Sequence, residues 1–205
     1  MTARAPPSWP VASTLSAVEP LDVLQVARAE FGGRLATVGP DQWVLPTPCD
    51  DWTVRDLAGH LVRGQIMTAL LLGGTSREDT LAAMAQPVPD DLVAAFDETA
   101  DRQQAAFAEP GALDRTCHHP VGDMPGSQLL GFRIADLALH AWDLARAIGA
   151  EEALPPEVLD VVWEAMAPLA SVIGGTGLFG DGPSGSVPED APLQARVLDL
   201  SGRRP

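Results

Sequence analysis

Apolar residues recur at helical spacing along most of this chain, and breaker residues divide the pattern into segments. Leu21, Leu24, Arg28, Phe31, Leu35 and Val38 step by threes and fours, which predicts a first helix that stops at the pair Gly39-Pro40. Thr53, with Asp56 three residues later, has the composition of a helix start. The helix it opens is expected to run to Leu72, before Gly73-Gly74. Residues 75–87 read as a polar connection. Pro89-Asp90-Asp91 opens a third helix, which turns Leu92, Val93, Phe96, Ala100 and Phe107 inward and ends at Pro110-Gly111. Leu113 to Pro125 is expected to be non-helical, and no strong strand pattern is visible. The fourth helix, Gly126 to Gly149, is strongly apolar. A fifth starts at Pro155-Pro156 and carries Val158, Val161, Val162, Met166 and Leu169 until Pro168 kinks it or ends it. After a stretch rich in Gly, Pro and Asp, the run from Pro192 to Leu200 suits one more short helix.

This pattern predicts an all-α helix bundle over residues 20–175. A flexible N-terminal arm over 1–19 and an irregular C-terminal tail over 176–205, packed on the bundle, are expected to flank it. Composition adds exclusions. Of the 205 residues, 46% are hydrophobic and 20% charged, which is a globular balance. The net charge of −15, from 13 basic and 28 acidic residues, argues against binding nucleic acid through phosphate neutralisation. No apolar run approaches the roughly 20 residues that would cross a bilayer. Met1 to Pro10 has no basic-then-apolar leader, so a cytoplasmic protein with no membrane partner is expected. Cys49 and Cys117 are expected to be free thiols. A homodimer would follow if the apolar fifth helix left surface uncovered.

The chemistry concentrates on the fourth helix. Asp136 and His140 stand four residues apart and therefore on one helical face. Such a pair can simply stabilise a helix. Among Ile134, Ala135, Leu137, Ala138 and Leu139, however, a carboxylate needs a partner to offset its burial, and a metal ion or Arg133 would serve. His60 lies on an apolar face of the second helix, where a histidine is either a hydrogen-bonded core residue or a ligand. His60, Asp136 and His140 together would form a three-ligand site with an open position, suited to zinc first and to nickel or iron(II) after it. Arg133 is expected either to bridge Asp136 or to receive an anionic substrate or cofactor group. Asp143 and Arg146 would either support the ligands from behind or, the reading preferred here, pair with each other at i,i+3, and Asp56 is expected to cap its helix. Cys117-His118-His119 is set aside as a second metal cluster, because adjacent residues rarely converge on one ion; its loop would wall the site. No general acid or base is evident, and no nucleophile-elbow, Walker, dinucleotide or H-E-x-x-H motif is present.

Thr47-Pro-Cys-Asp-Asp-Trp52-Thr-Val-Arg-Asp-Leu-Ala-Gly-His60 and Phe132-Arg-Ile-Ala-Asp136-Leu-Ala-Leu-His140-Ala-Trp-Asp-Leu-Ala-Arg146 together resemble the two signatures of the mycothiol-dependent maleylpyruvate isomerase metal-binding domain family. That family is a branch of the DinB/YfiT-like superfamily, and the resemblance extends from about residue 20 to the end of the chain. It implies a DinB-like four-helix bundle with an additional C-terminal helix. It also implies a divalent metal, usually zinc, on His60, Asp136 and His140, and mycothiol as a possible thiol cofactor. The function implied is a metal-dependent thiol transferase or isomerase acting on a small electrophile. The alternative is a non-catalytic metal-binding bundle, a sensor or pathway accessory. Two departures make maleylpyruvate a doubtful substrate. The chain is too short for the isomerase's sterol-carrier-like C-terminal domain, and its acidic ligand is Asp where the isomerase has Glu.

Overall fold

The computed structural model describes residues 19–171, 173 and 182–204. The expected N-terminal arm, Glu19 apart, and the start of the tail lie outside the described residues. Helix α1 is Pro20–Leu35. It stops before the expected Gly39-Pro40, because Thr37 turns its hydroxyl back onto the Arg34 carbonyl at 2.7 Å while the Ala36 and Thr37 amides close on Gly32 and Arg34. Helix α2, Val54–Leu72, begins as expected. The Asp56 amide donates to Thr53 Oγ1 at 3.3 Å, and the Thr53 amide donates back to the Asp56 carboxylate at 3.0 Å.

Two segments differ from expectation. The supposed polar connection contains helix α3, Arg77–Met84, capped by Ser76, whose Oγ accepts from the Asp79 amide at 3.1 Å. Only Thr80 of this helix is buried, so hydrophobic periodicity carried no sign of it; the cap and the acids Glu78 and Asp79 did. After α4, Leu92–Phe107, the expected irregular stretch contains an antiparallel hairpin of β1, Thr116–His119, and β2, Gly122–Pro125. Its paired residues Cys117 and Met124 face the core, and the pair His118 and Asp123 faces out. Four-residue strands are too short for alternation to register in sequence.

Helix α5, Gly126–Ile148, starts where a Cβ on Gly126 would collide with the Ala112 carbonyl, and ends at Gly149 with φ of 71°. Helix α6, Pro156–Met166, gives way to a 3₁₀ turn at Ala167–Leu169 around Pro168, as expected, and α7 is Leu193–Leu200.

The bundle proper is α1, α2, α4 and α5. Its most extensive seams are α2 with α4 and α1 with α5. Phe31 of α1 and Phe96 of α4 meet with ring centroids 5.0 Å apart, both fully enclosed. The apolar face of α6, Val158, Leu159, Val162 and Met166, is covered by α5, α7 and α1. The architecture is thus the expected all-α, DinB-like bundle with an added C-terminal helix, modified by one hairpin. Among the described residues no helix is long and apolar enough to cross a membrane.

Candidate metal centre

The α2–α5 seam brings the three expected residues together. His60 Nε2 lies 3.2 Å, and His140 Nε2 3.3 Å, from the same oxygen, Oδ1 of Asp136. All three donor atoms fall within 4.8 Å of one another. The other Asp136 oxygen, Oδ2, accepts from Arg133 Nη1 at 2.6 Å. Arg133 in turn donates from Nε to Gln103 on α4 at 3.0 Å. Its guanidinium lies against the bare Cα of Gly64, where an added Cβ would come within 2.8 Å of Cζ. The salt bridge expected as one role of Arg133 is therefore made.

On its other side His140 is held from beneath. Nδ1 lies 2.8 Å from Oδ2 of Asp143, which has no exposed surface. A carboxylate can only accept, so that contact fixes a proton on Nδ1, donated to Asp143, and directs Nε2 toward His60 and Asp136. Asp143 is gripped by Arg203, from Nη2 at 2.5 Å and Nε at 2.9 Å. The expected Asp143–Arg146 pair does not form. Arg146 reaches Glu152 at 2.7 Å and lies 4.5 Å over the Trp142 ring, because Asp143 points into the bundle and Arg146 out of it.

The loop before α2 completes the wall. Thr47 and Trp52 are tied by the Thr47 amide to the Trp52 carbonyl at 2.9 Å, with Asp51 at φ of 62° making the turn. This sets the Trp52 ring 4.8 Å from that of His60 and 5.8 Å from that of His140. It also places Cys49 Sγ 3.3 Å from Asp143 Oδ2 and 3.8 Å from His140 Nδ1. Cys49 and Arg203 were not expected at the site. Cys49 sits inside the first signature and was legible only as a free thiol. The local signal for Arg203 is the basic pair Arg203-Arg204 in an otherwise acidic chain.

Electrostatics follow from this packing. Burial alone would raise the Asp136 carboxyl, but His60 and Arg133 outweigh it and hold the group well below the usual carboxylate range. Burial would lower His140, but its contacts with Asp136, Asp143 and Cys49 hold it well above the usual imidazole range. Asp143, against its burial, is brought down to about 2 by His140 and Arg203. His119, on the hairpin, is lowered to about 4 by burial and by Arg133 and Arg77.

A cavity of about 900 Å3 opens over the cluster, with His119 and Pro120 of the hairpin among its walls, as expected for that loop. The donor set suits a divalent ion. A tetrahedral ion with bonds of about 2.0–2.1 Å separates its ligand atoms by about 3.3 Å, close to the two donor separations measured here. Arg133 leaves one carboxylate oxygen for the ion, and Asp143 leaves one imidazole nitrogen.

A helical bundle with a His-Asp-His cluster facing a cavity defines the class. The chain belongs to the mycothiol maleylpyruvate isomerase N-terminal domain family, whose family model matches residues 24–145. An uncharacterized protein of Mycobacterium tuberculosis H37Rv, and its counterpart in strain CDC 1551, are each 38% identical over 144 residues, covering 69% of this chain and 74% of theirs. A crystal structure of the mycothiol-dependent maleylpyruvate isomerase superposes with a TM-score of 0.57 at 18% identity, over 75% of this chain and 68% of that one. A histidine-to-alanine mutant of that enzyme gives 0.58 at 18% identity, over 80% and 71%. These two likenesses establish the fold.

Proposed function

We propose that the protein is a metal-dependent enzyme that uses a small thiol, mycothiol in keeping with its family, to transfer to or isomerise a small electrophilic metabolite. His60, Asp136 and His140 would hold one divalent ion, zinc first and nickel or iron(II) as alternatives. The observation that carries this reading is the convergence of two Nε2 atoms on one carboxylate oxygen at 3.2 and 3.3 Å, at the floor of an open cavity. A divalent ion there would supply a Lewis acid that favours the deprotonated form of an incoming thiol near neutral pH.

The remaining work falls to the protein's own side chains. Asp143 and Arg203 orient His140, Arg133 fixes the Asp136 rotamer and neutralises its second oxygen, and Trp52 packs beside both imidazoles. Arg133 is also the residue we assign to an anionic group of substrate or cofactor, because its Nη2 is buried without a hydrogen-bond partner.

Metal content of protein purified without chelator, measured by inductively coupled plasma mass spectrometry beside a His140→Ala variant, tests the reading. About one ion per chain, lost in the variant, supports the three-ligand site. A wild type that is metal-free and cannot be loaded with zinc, nickel or iron(II) sinks it. Metal binding with no thiol-dependent turnover would leave a non-catalytic metal-binding bundle.

A further inference from the structure

The lining of the cavity is sorted by position along α5. Leu129 and Phe132 come from the first turns, Asp136 and His140 from the middle, and Arg146 from the last turn. At 1.5 Å per residue, Leu129 and Arg146 are about 26 Å apart along the axis. The cavity is therefore a trough along the helix, with the His60–Asp136–His140 cluster near its centre and chemically different ends.

One end is apolar. Met67 of α2, Leu81 and Met84 of α3, and Phe132 line it. Leu81 is 49% exposed, and α3 buries only Thr80, so Leu81 and Met84, three apart on one helical face, line this trough and are not buried in the core. The other end is cationic, with Arg146, Arg203 and Arg204. Counting Arg133, the cavity walls hold four arginines against two carboxylates, Asp50 and Asp136. The chain as a whole has 28 acidic and 13 basic residues, so the wall itself is richer in arginine than the chain, with each guanidinium backed by a carboxylate: Arg133 by Asp136, Arg146 by Glu152, Arg203 by Asp143 and Arg204 by Asp199. Arg203 is committed to Asp143. Arg146 is pinned over Trp142 and paired with Glu152 at 2.7 and 2.8 Å, its side chain 42% exposed, and Arg204 is 55% exposed, tied to Asp199 at 3.5 Å and to the Arg203 carbonyl at 3.2 Å.

We propose that the trough binds an amphipathic carboxylate. Its aliphatic body lies in the Met67–Leu81–Met84–Phe132 end, its carboxylate meets Arg146 and Arg204, and its chain passes the central cluster. A small dicarboxylate would leave the apolar end wet, and a cation would face the arginines. As the class of the electrophile this rests on the metal-and-thiol reading; as a class of ligand it does not.

Isothermal titration of the full chain, metal-free and zinc-loaded, with butyrate, octanoate, decanoate, octanol and octylamine tests it. Emission of Trp52 and Trp142, both in the cavity wall, serves as a second readout. Affinity is expected to rise about fourfold per methylene added. Octanoate is expected to bind at least about tenfold tighter than octanol or octylamine. The double variant Arg146→Gln/Arg204→Gln should lose the carboxylate preference, and Leu81→Asp the dependence on length. Equal binding of octanoate and octylamine, affinity indifferent to chain length, or no binding of any of the five overturns the proposal on the wild type alone, whatever the variants do. A zinc-loaded protein that ignores octanoate refutes this ligand class and leaves the metal reading standing. Octanoate binding by a protein that takes up no metal does the reverse.

Discussion

The two seams of α5 are built on opposite principles. Against α1 the helix packs extensively, and the buried residues of the two helices include a long apolar set, Ala27, Leu35, Leu137 and Leu144 among them. Against α2 the contact is smaller, and the facing residues include His60, Asp136, Arg133 and the bare backbone of Gly64. Dense apolar packing stabilises by area removed from water, whereas a polar seam must satisfy every charge it encloses. One seam holds the bundle together, and the other leaves His60, Asp136 and His140 facing a cavity.

The sharpest way to break this contrast is to hollow out the apolar core on the α1 side, where Phe31 meets Phe96 of α4. Phe31→Ala should cost about 3–5 kcal/mol in urea unfolding, while the folded fraction keeps the metal stoichiometry of the wild type. Loss of metal at equal folded fraction would show that the seams are not independent.

Asp143→Ala acts at the second seam and should do both. Arg203 is left buried without its partner at a cost of about 3 kcal/mol, and metal affinity, read by chelator competition, should fall about 10–100-fold. The pH dependence has a defined sign. Because the folded Asp143 carboxyl sits at about 2, its stabilisation is complete above the unfolded value of about 3.9 and is lost as pH falls through about 2. His140 behaves oppositely. Its folded value is raised, so its contribution is full below about 6.5 and fades as pH climbs through that raised value. A metal needs the neutral imidazole, so zinc affinity should increase with pH over the same range. Zinc affinity that is flat with pH would argue against His140 as a ligand.

Gly64→Ala should cost about 1–3 kcal/mol by pushing Arg133 off Asp136, with thermal melting and metal affinity falling together. The smallest effect expected is that of Thr53→Ala. Loss of the α2 cap should lower stability by about 1 kcal/mol and leave metal affinity alone. A larger loss of metal than of stability would mean that the cap also sets the depth of His60.

Much of the fold was legible because helix signals are local. The Thr53–Asp56 cap, the breaker Gly149 and the Pro168 stop all act within one turn of themselves, and the structure places each where the residues indicate. Helix α3 escaped because its apolar residues face a cavity and not a core, so they leave no periodic stripe. The hairpin escaped because pairing Cys117 with Met124 depends on two strands meeting.

Local spacing was enough for every helix but α3, for their apolar faces and for the pairing of Asp136 with His140 on one face, since i,i+4 spacing is a property of the helix alone. It took the packing of the helices to bring His60 to that pair, to turn Asp143 to Arg203 and not Arg146, and to lay Cys49 beside His140. Those contacts join residues 76, 60 and 91 positions apart. No local rule reaches that far, because the geometry is set by how whole helices pack.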